Sequence, residues 1–100
     1  MPEQTISIPH RLAQDEAVMR FKEYIANAKE RYADVIMDVH DEWNDHTCIF
    51  RFSAMGFSVS GTLCVRSSEV EILGKLPLAA APFRGKIESA IRRQVEMLLA

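Results

Sequence analysis

No run in this chain of 100 residues approaches the ~18 consecutive apolar residues that a membrane-spanning helix needs, and the opening Met-Pro-Glu-Gln-Thr has neither the basic nor the apolar part of a secretory signal. The expected compartment is the cytoplasm. Positive charge is not in excess: the formal net charge is −2, which gives no global attraction to nucleic acid or anionic lipid, and no nucleic-acid partner is expected. Glycine and proline are sparse, and no repeat, low-complexity stretch or linker divides the chain, so residues 1–100 are read as a single domain. Glycine elbows around serine, a glycine-rich phosphate loop and paired carboxylates in an evident apolar pocket are all missing. No catalytic residue and no cofactor is therefore assigned, and the expectation is a protein that is not an enzyme.

Cysteine is scarce as well. Cys48 and Cys64 fall on opposite phases of their strands and are not expected to bridge each other. Cys48 is read as an inert core residue, and Cys64 as a half-exposed thiol on the far face, with no neighbouring base to activate it.

What the chain does have is alternation. A hydrophobic fraction of 48% with 26% charged residues suits one soluble core. From Val35 to Leu76 three successive hairpins, with turns at Asn44-Asp45, Met55-Gly56 and Ser67-Ser68, keep one set of side chains on a single face. In that register Val39 lies opposite Phe50, Met37 opposite Phe52, Phe52 opposite Val59, Cys48 opposite Leu63, Leu63 opposite Ile72 and Val65 opposite Val70. A one-residue slip would turn all of these outward. Thr5 to Ile8, ended by Pro9, reads as a short edge strand that sends Ile6 and Ile8 inward.

Helical periodicity appears twice. Ala17, Phe21, Tyr24, Ile25, Ala28 and Tyr32 recur at three- and four-residue steps and predict a helix from about Gln14 to Tyr32, with Asp15 and Glu16 at its positive end and no Ser or Thr cap. After the connector Leu76 to Pro82, a second helix is predicted from Pro82 to about Leu99, with Phe83, Ile87, Ile91, Val95 and Leu98 as its stripe. The order is β-α-β-β-β-β-α, an α+β two-layer domain with a mainly antiparallel five-stranded sheet and two helices on one face. With the first strand beside the fifth, the topology is similar to the helix-grip and TATA-binding-protein-like folds, a likeness of shape only.

Two candidate surfaces follow from this register. On the inner face Phe50, Gly61 and Gly74 share a row, and the two missing side chains leave room under Ile87 and Ile91 of the second helix. That room is either filled by the Phe50 ring and the helix, or forms a small pocket for an acyl-type ligand. On the outer face Asp38, Arg51, Ser60 and Lys75 form one row and His40, Ile49, Thr62 and Leu73 the next, with an exposed Asp38–Arg51 pair. Ile36, Ile49 and Leu73 make this face less polar than a solvated sheet requires, and with His40, Arg51 and Lys75 they are the candidate interaction face for a protein partner or a second copy of the chain as a homodimer. His40 and His46 flank a hairpin tip without metal-ligand spacing, so no metal site is assigned, and Trp43 is read as a cover for the sheet edge.

The closing run from Leu76-Pro77-Leu78 through Phe83-Arg84-Gly85-Lys86-Ile87-Glu88 to Gln94, preceded by Gly61-Thr62-Leu63-Cys64-Val65 and Ile8-Pro9-His10, resembles the small bacterial polyhydroxyalkanoic acid system proteins. The likeness covers nearly the whole chain, and its most specific part is the leucine-proline connector followed by the phenylalanine, glycine, lysine, isoleucine, glutamate helix start. Where those relatives commonly show a Ser-containing start after the histidine, this chain has Arg11-Leu12-Ala13-Gln14. The resemblance implies a bacterial, cytoplasmic accessory protein connected with polyester storage, and it carries over no catalytic residue. His10 is the one polar residue it singles out, read as closing the end of the edge strand. Unlike a granule-coating phasin, the chain has no long helical repeat.

Overall fold

Alternate burial along the strands organises the structure, a computed structural model that describes residues 3–54, 56–75 and 78–100. The expected turn residue Met55 and the connector residues Leu76 and Pro77 lie outside the described residues. The order is β1 (Glu3–Pro9), α1 (Gln14–Arg31), β2 (Ile36–Asn44), β3 (Thr47–Ala54), β4 (Phe57–Val65), β5 (Glu69–Lys75), a 3-10 segment (Leu78–Phe83) and α2 (Arg84–Leu98). The five strands form one sheet in the order β1-β5-β4-β3-β2, and every pairing is antiparallel. β1 lies beside β5, as the pattern predicts.

The buried core draws Ile6 and Ile8 from β1, Cys48 from β3, Leu63 and Val65 from β4, and Val70 and Ile72 from β5. Above them sit Ala17, Val18 and Phe21 of α1, together with Val95 of α2 and Leu99 just beyond it. Both helices therefore cover the same face. Each large aliphatic side chain fully buried this way stabilises the fold by roughly 1.5–3 kcal/mol, which is why alternation overrides the weak local preferences of the strands.

Polar contacts fix how the helices sit. The Arg20 guanidinium of α1 donates to the carbonyls of Leu98 and Ala100, at 3.1 and 2.8 Å, so the open end of α2 is held by a cation from the neighbouring helix. Arg92 of α2 donates to the Ser7 carbonyl at 3.2 Å, covering part of the exposed β1 edge. Lys29 near the end of α1 binds Asp41 of β2 at 2.9 Å.

His10 is buried and closes the end of β1. Its Nε2 donates to the Arg66 carbonyl at 2.9 Å and its Nδ1 accepts the Leu12 amide at 3.1 Å, while its own amide donates to the Ser68 carbonyl. Gln14 donates to the Val65 carbonyl beside it at 2.8 Å. This pair of side chains ties the chain between β1 and α1 to the β4–β5 turn.

The register of β3, β4 and β5 agrees with the pattern: Phe52 faces Val59, Cys48 faces Leu63, Leu63 faces Ile72 and Val65 faces Val70. Arg66 and Glu69 close the turn around Ser67 and Ser68. Gly56 has φ +83°, a conformation that favours glycine.

β2 departs from expectation. The turn after it falls on Asp45 and His46 rather than Asn44 and Asp45, because Asp45 takes the left-handed conformation at φ 60°. β2 is thereby displaced by two residues: Asp41, not Val39, faces Phe50, and Trp43 faces Cys48. An even displacement preserves which side chains point inward. A bulge between Met37 and His40, with Asp38 at φ 54°, then reverses the phase at the start of the strand. Met37, expected inside opposite Phe52, faces Ser53 and is 62% exposed, and Ile36 faces Ala54 on the inward phase.

The second helix also differs. Residues Leu78–Phe83 form a 3-10 segment that contains Pro82, and the α-helix begins at Arg84. Phe83, expected in the buried stripe, is exposed.

Replacing His10 by alanine leaves the Arg66 carbonyl and the Leu12 amide without their partner, and is expected to lower stability by about 1–3 kcal/mol. Chemical denaturation monitored by circular dichroism reads this as an earlier midpoint with an unchanged slope; an unshifted midpoint contradicts the role given to His10.

Candidate functional site

The two-residue displacement of β2 redraws the outer face. His40 of β2, Arg51 of β3, Ser60 of β4 and Lys75 of β5 now stand in one row across four strands. Glu42, Ile49, Thr62 and Leu73 form the next. The expected Asp38–Arg51 pair is not made, because Asp38 is the bulged residue and Arg51 faces His40. Of the six residues assigned to the interaction face, the structure brings together His40, Ile49, Arg51, Leu73 and Lys75. Ile36 is removed to the opposite phase by the bulge.

All residues of these two rows except Leu73 line an open hollow of about 560 Å³. The main chain of Asp41, Phe50 and Gly61 passes through its floor, at positions whose side chains take the other face. Glu42, Ser60 and Thr62 join the expected residues, Ser60 and Thr62 on the outward phase that the alternation predicts. Ile49 is 61% exposed, a large apolar side chain standing in solvent at the middle of the sheet. His40, Arg51 and Lys75 are exposed too. Among the described residues neither Arg51 nor Lys75 takes part in an ion pair.

On the inner face Phe50, Gly61 and Gly74 do share a row, through the pairs Phe50–Gly61 and Gly61–Gly74. The Phe50 ring lies over Gly61: a Cβ there would stand 2.8 Å from its Cζ and would also collide with the Leu73 carbonyl. At Gly74 the nearest atom to such a Cβ is the Gln4 carbonyl oxygen, 4.0 Å away. Phe50 stacks on Phe52 with ring centres 6.4 Å apart. Ile87 and Ile91 are half-buried on α2. Both glycines are thus next to strand backbone, but only Gly61 is closed off by an aromatic ring.

The hairpin tip is engaged by α1. His46 Nε2 meets the Asp15 carboxylate at 2.9 Å, and its Nδ1 lies 3.3 Å from Asp45. His40 points away on the outer face, so the two histidines share no site. Trp43 lies under α1 with Lys22 Nζ 5.5 Å from its ring centre.

Burial pushes the Cys48 thiol above its ordinary pKa, with the Asp41 carboxylate adding to the shift. Cys64 is half-exposed in the outer row beside Thr47, whose hydroxyl points at its sulfur from 3.8 Å.

The model of the polyhydroxyalkanoic acid system protein family matches residues 5–99. A comparison with curated proteins gives no match. The family's description links its members to a polyhydroxyalkanoate system and assigns no biochemical role.

Two outcomes follow. Gly61→Ala is expected to destabilise by about 1–3 kcal/mol through overpacking against Phe50 and Leu73, whereas Gly74→Ala leaves stability within about 1 kcal/mol, both measured by thermal unfolding; equal effects contradict the packing described. An alkylating reagent at neutral pH should label Cys64 and spare Cys48 until the chain unfolds, which mass spectrometry of the two peptides reads directly.

Proposed function

Because the chain belongs to the polyhydroxyalkanoic acid system protein family, we propose that it is a non-catalytic cytoplasmic accessory protein of polyester storage, whose outer sheet face contacts the granule or a protein on it. The observation that carries this reading is the exposure of Ile49, which shares a row with Thr62 and Leu73 alongside the row of Arg51, Ser60 and Lys75. Solvated faces of antiparallel sheets normally carry polar residues, and apolar side chains flanked on one side by a row with two cations suit a contact surface. The core is consistent with this reading, since both helices pack on the inner face and leave the outer one uncovered.

The test is co-sedimentation with purified polyhydroxyalkanoate granules. Ile49→Asp places a charge at the centre of the face without touching the core, and is expected to weaken binding at least about tenfold, as is Leu73→Asp. Retained binding by both variants would remove this face from the account.

A further inference from the structure

Building on the reading of the outer face as the granule contact, we propose that the hollow binds the carboxylate end of a polyhydroxyalkanoate chain, with Arg51 holding the carboxylate and Ile49 receiving the aliphatic part, which runs on over the same row toward Leu73 outside the hollow. A polyester chain is unusual as a hydrogen-bonding partner. Its ester oxygens only accept, and its full negative charge sits at one end. A protein surface, in contrast, offers donors and acceptors in similar numbers.

The hollow is biased in the matching sense. Arg51 brings five N–H donors in a planar fork suited to a carboxylate, and Lys75 brings three more. Arg51 is flanked across the strands by His40 and Ser60, with no carboxylate opposite it. On β4, Ser60 adds a hydroxyl donor between Arg51 and Lys75, and Thr62 adds one between Ile49 and Leu73.

Among the described residues no carboxylate forms an ion pair with Arg51. Asp41 belongs to the other face and is held by Lys29 at 2.9 Å. Glu42 stands at the β2 edge beside Ile49, and Glu71 is paired with Arg66.

Dimensions agree with this ligand. Ile49, Thr62 and Leu73 lie on three adjacent strands and span about 10 Å, enough for a short stretch of chain, and the hollow's 560 Å³ is in the usual range for small-molecule sites. Charge binds the end and the apolar row binds the stem.

The experiment titrates the full chain, by isothermal calorimetry, with short 3-hydroxybutyrate oligomers ending in a free carboxylate, with the same oligomers as methyl esters, and with acetate. The carboxylate form is expected to bind at least about tenfold more tightly than either the methyl ester or acetate. Arg51→Gln should erase the preference over the ester, and Ile49→Asp should weaken both oligomers. Equal affinity for ester and acid, a preference that survives Arg51→Gln, or affinity no better than acetate overturns the proposal. Should no oligomer bind while granule co-sedimentation stays sensitive to Ile49→Asp, the chain-end proposal falls and the outer-face reading stands, with a granule protein as its partner. Loss of both sensitivities ends both.

Discussion

Every feature of this domain depends on a strand having two sides. Once Ile6, Ile8, Leu63, Val65, Val70 and Ile72 are sealed under α1 and α2, the residues between them have no choice but the opposite face. Ile49, Thr62 and Leu73 are thus displayed by the same burial that stabilises the fold. The outer surface is a consequence of the core, so any change of register that exposed the core would also scatter the surface.

The helices act as a lid over one side and as edge protection. α2 lies along β1 and satisfies the Ser7 carbonyl through Arg92, and α1 anchors the hairpin tip through Asp15 and the middle of β2 through Lys29. At the opposite edge the β2 bulge, with Asp38 in the left-handed region, breaks the regular row of backbone donors and acceptors that would otherwise invite another strand. Neither helix covers the broad outer face.

The legibility of the fold tracked the clarity of local signals. β3, β4 and β5 could be aligned because apolar and polar residues alternate on each strand and because Gly56 and the Ser67-Ser68 pair mark the turns. β2 could not be aligned fully. Val35-Ile36-Met37 is apolar at every position, so it carries no parity, and the bulge at Asp38 and the turn at Asp45 both rest on aspartates adopting positive φ, which a sequence does not announce. The start of α2 was misplaced because proline is at home both in the first turn of an α-helix and in the 3-10 turn that precedes it here.

For the candidate site the same displacement had the larger effect. Arg51, Ser60 and Lys75 were aligned by the well-marked strands, but His40 joined their row only through the slip of β2, and Glu42 replaced it beside Ile49. The acid–base neighbour expected for Arg51 thereby disappeared. The proposed granule contact is the outer sheet face and not a helix surface. Hydroxyl-radical footprinting with and without granules tests it most directly: protection should concentrate on Ile49 and Leu73 and leave the exposed helix residues Met19 and Met97 unchanged. Protection of Met19 or Met97 with Ile49 still fully reactive would contradict the account.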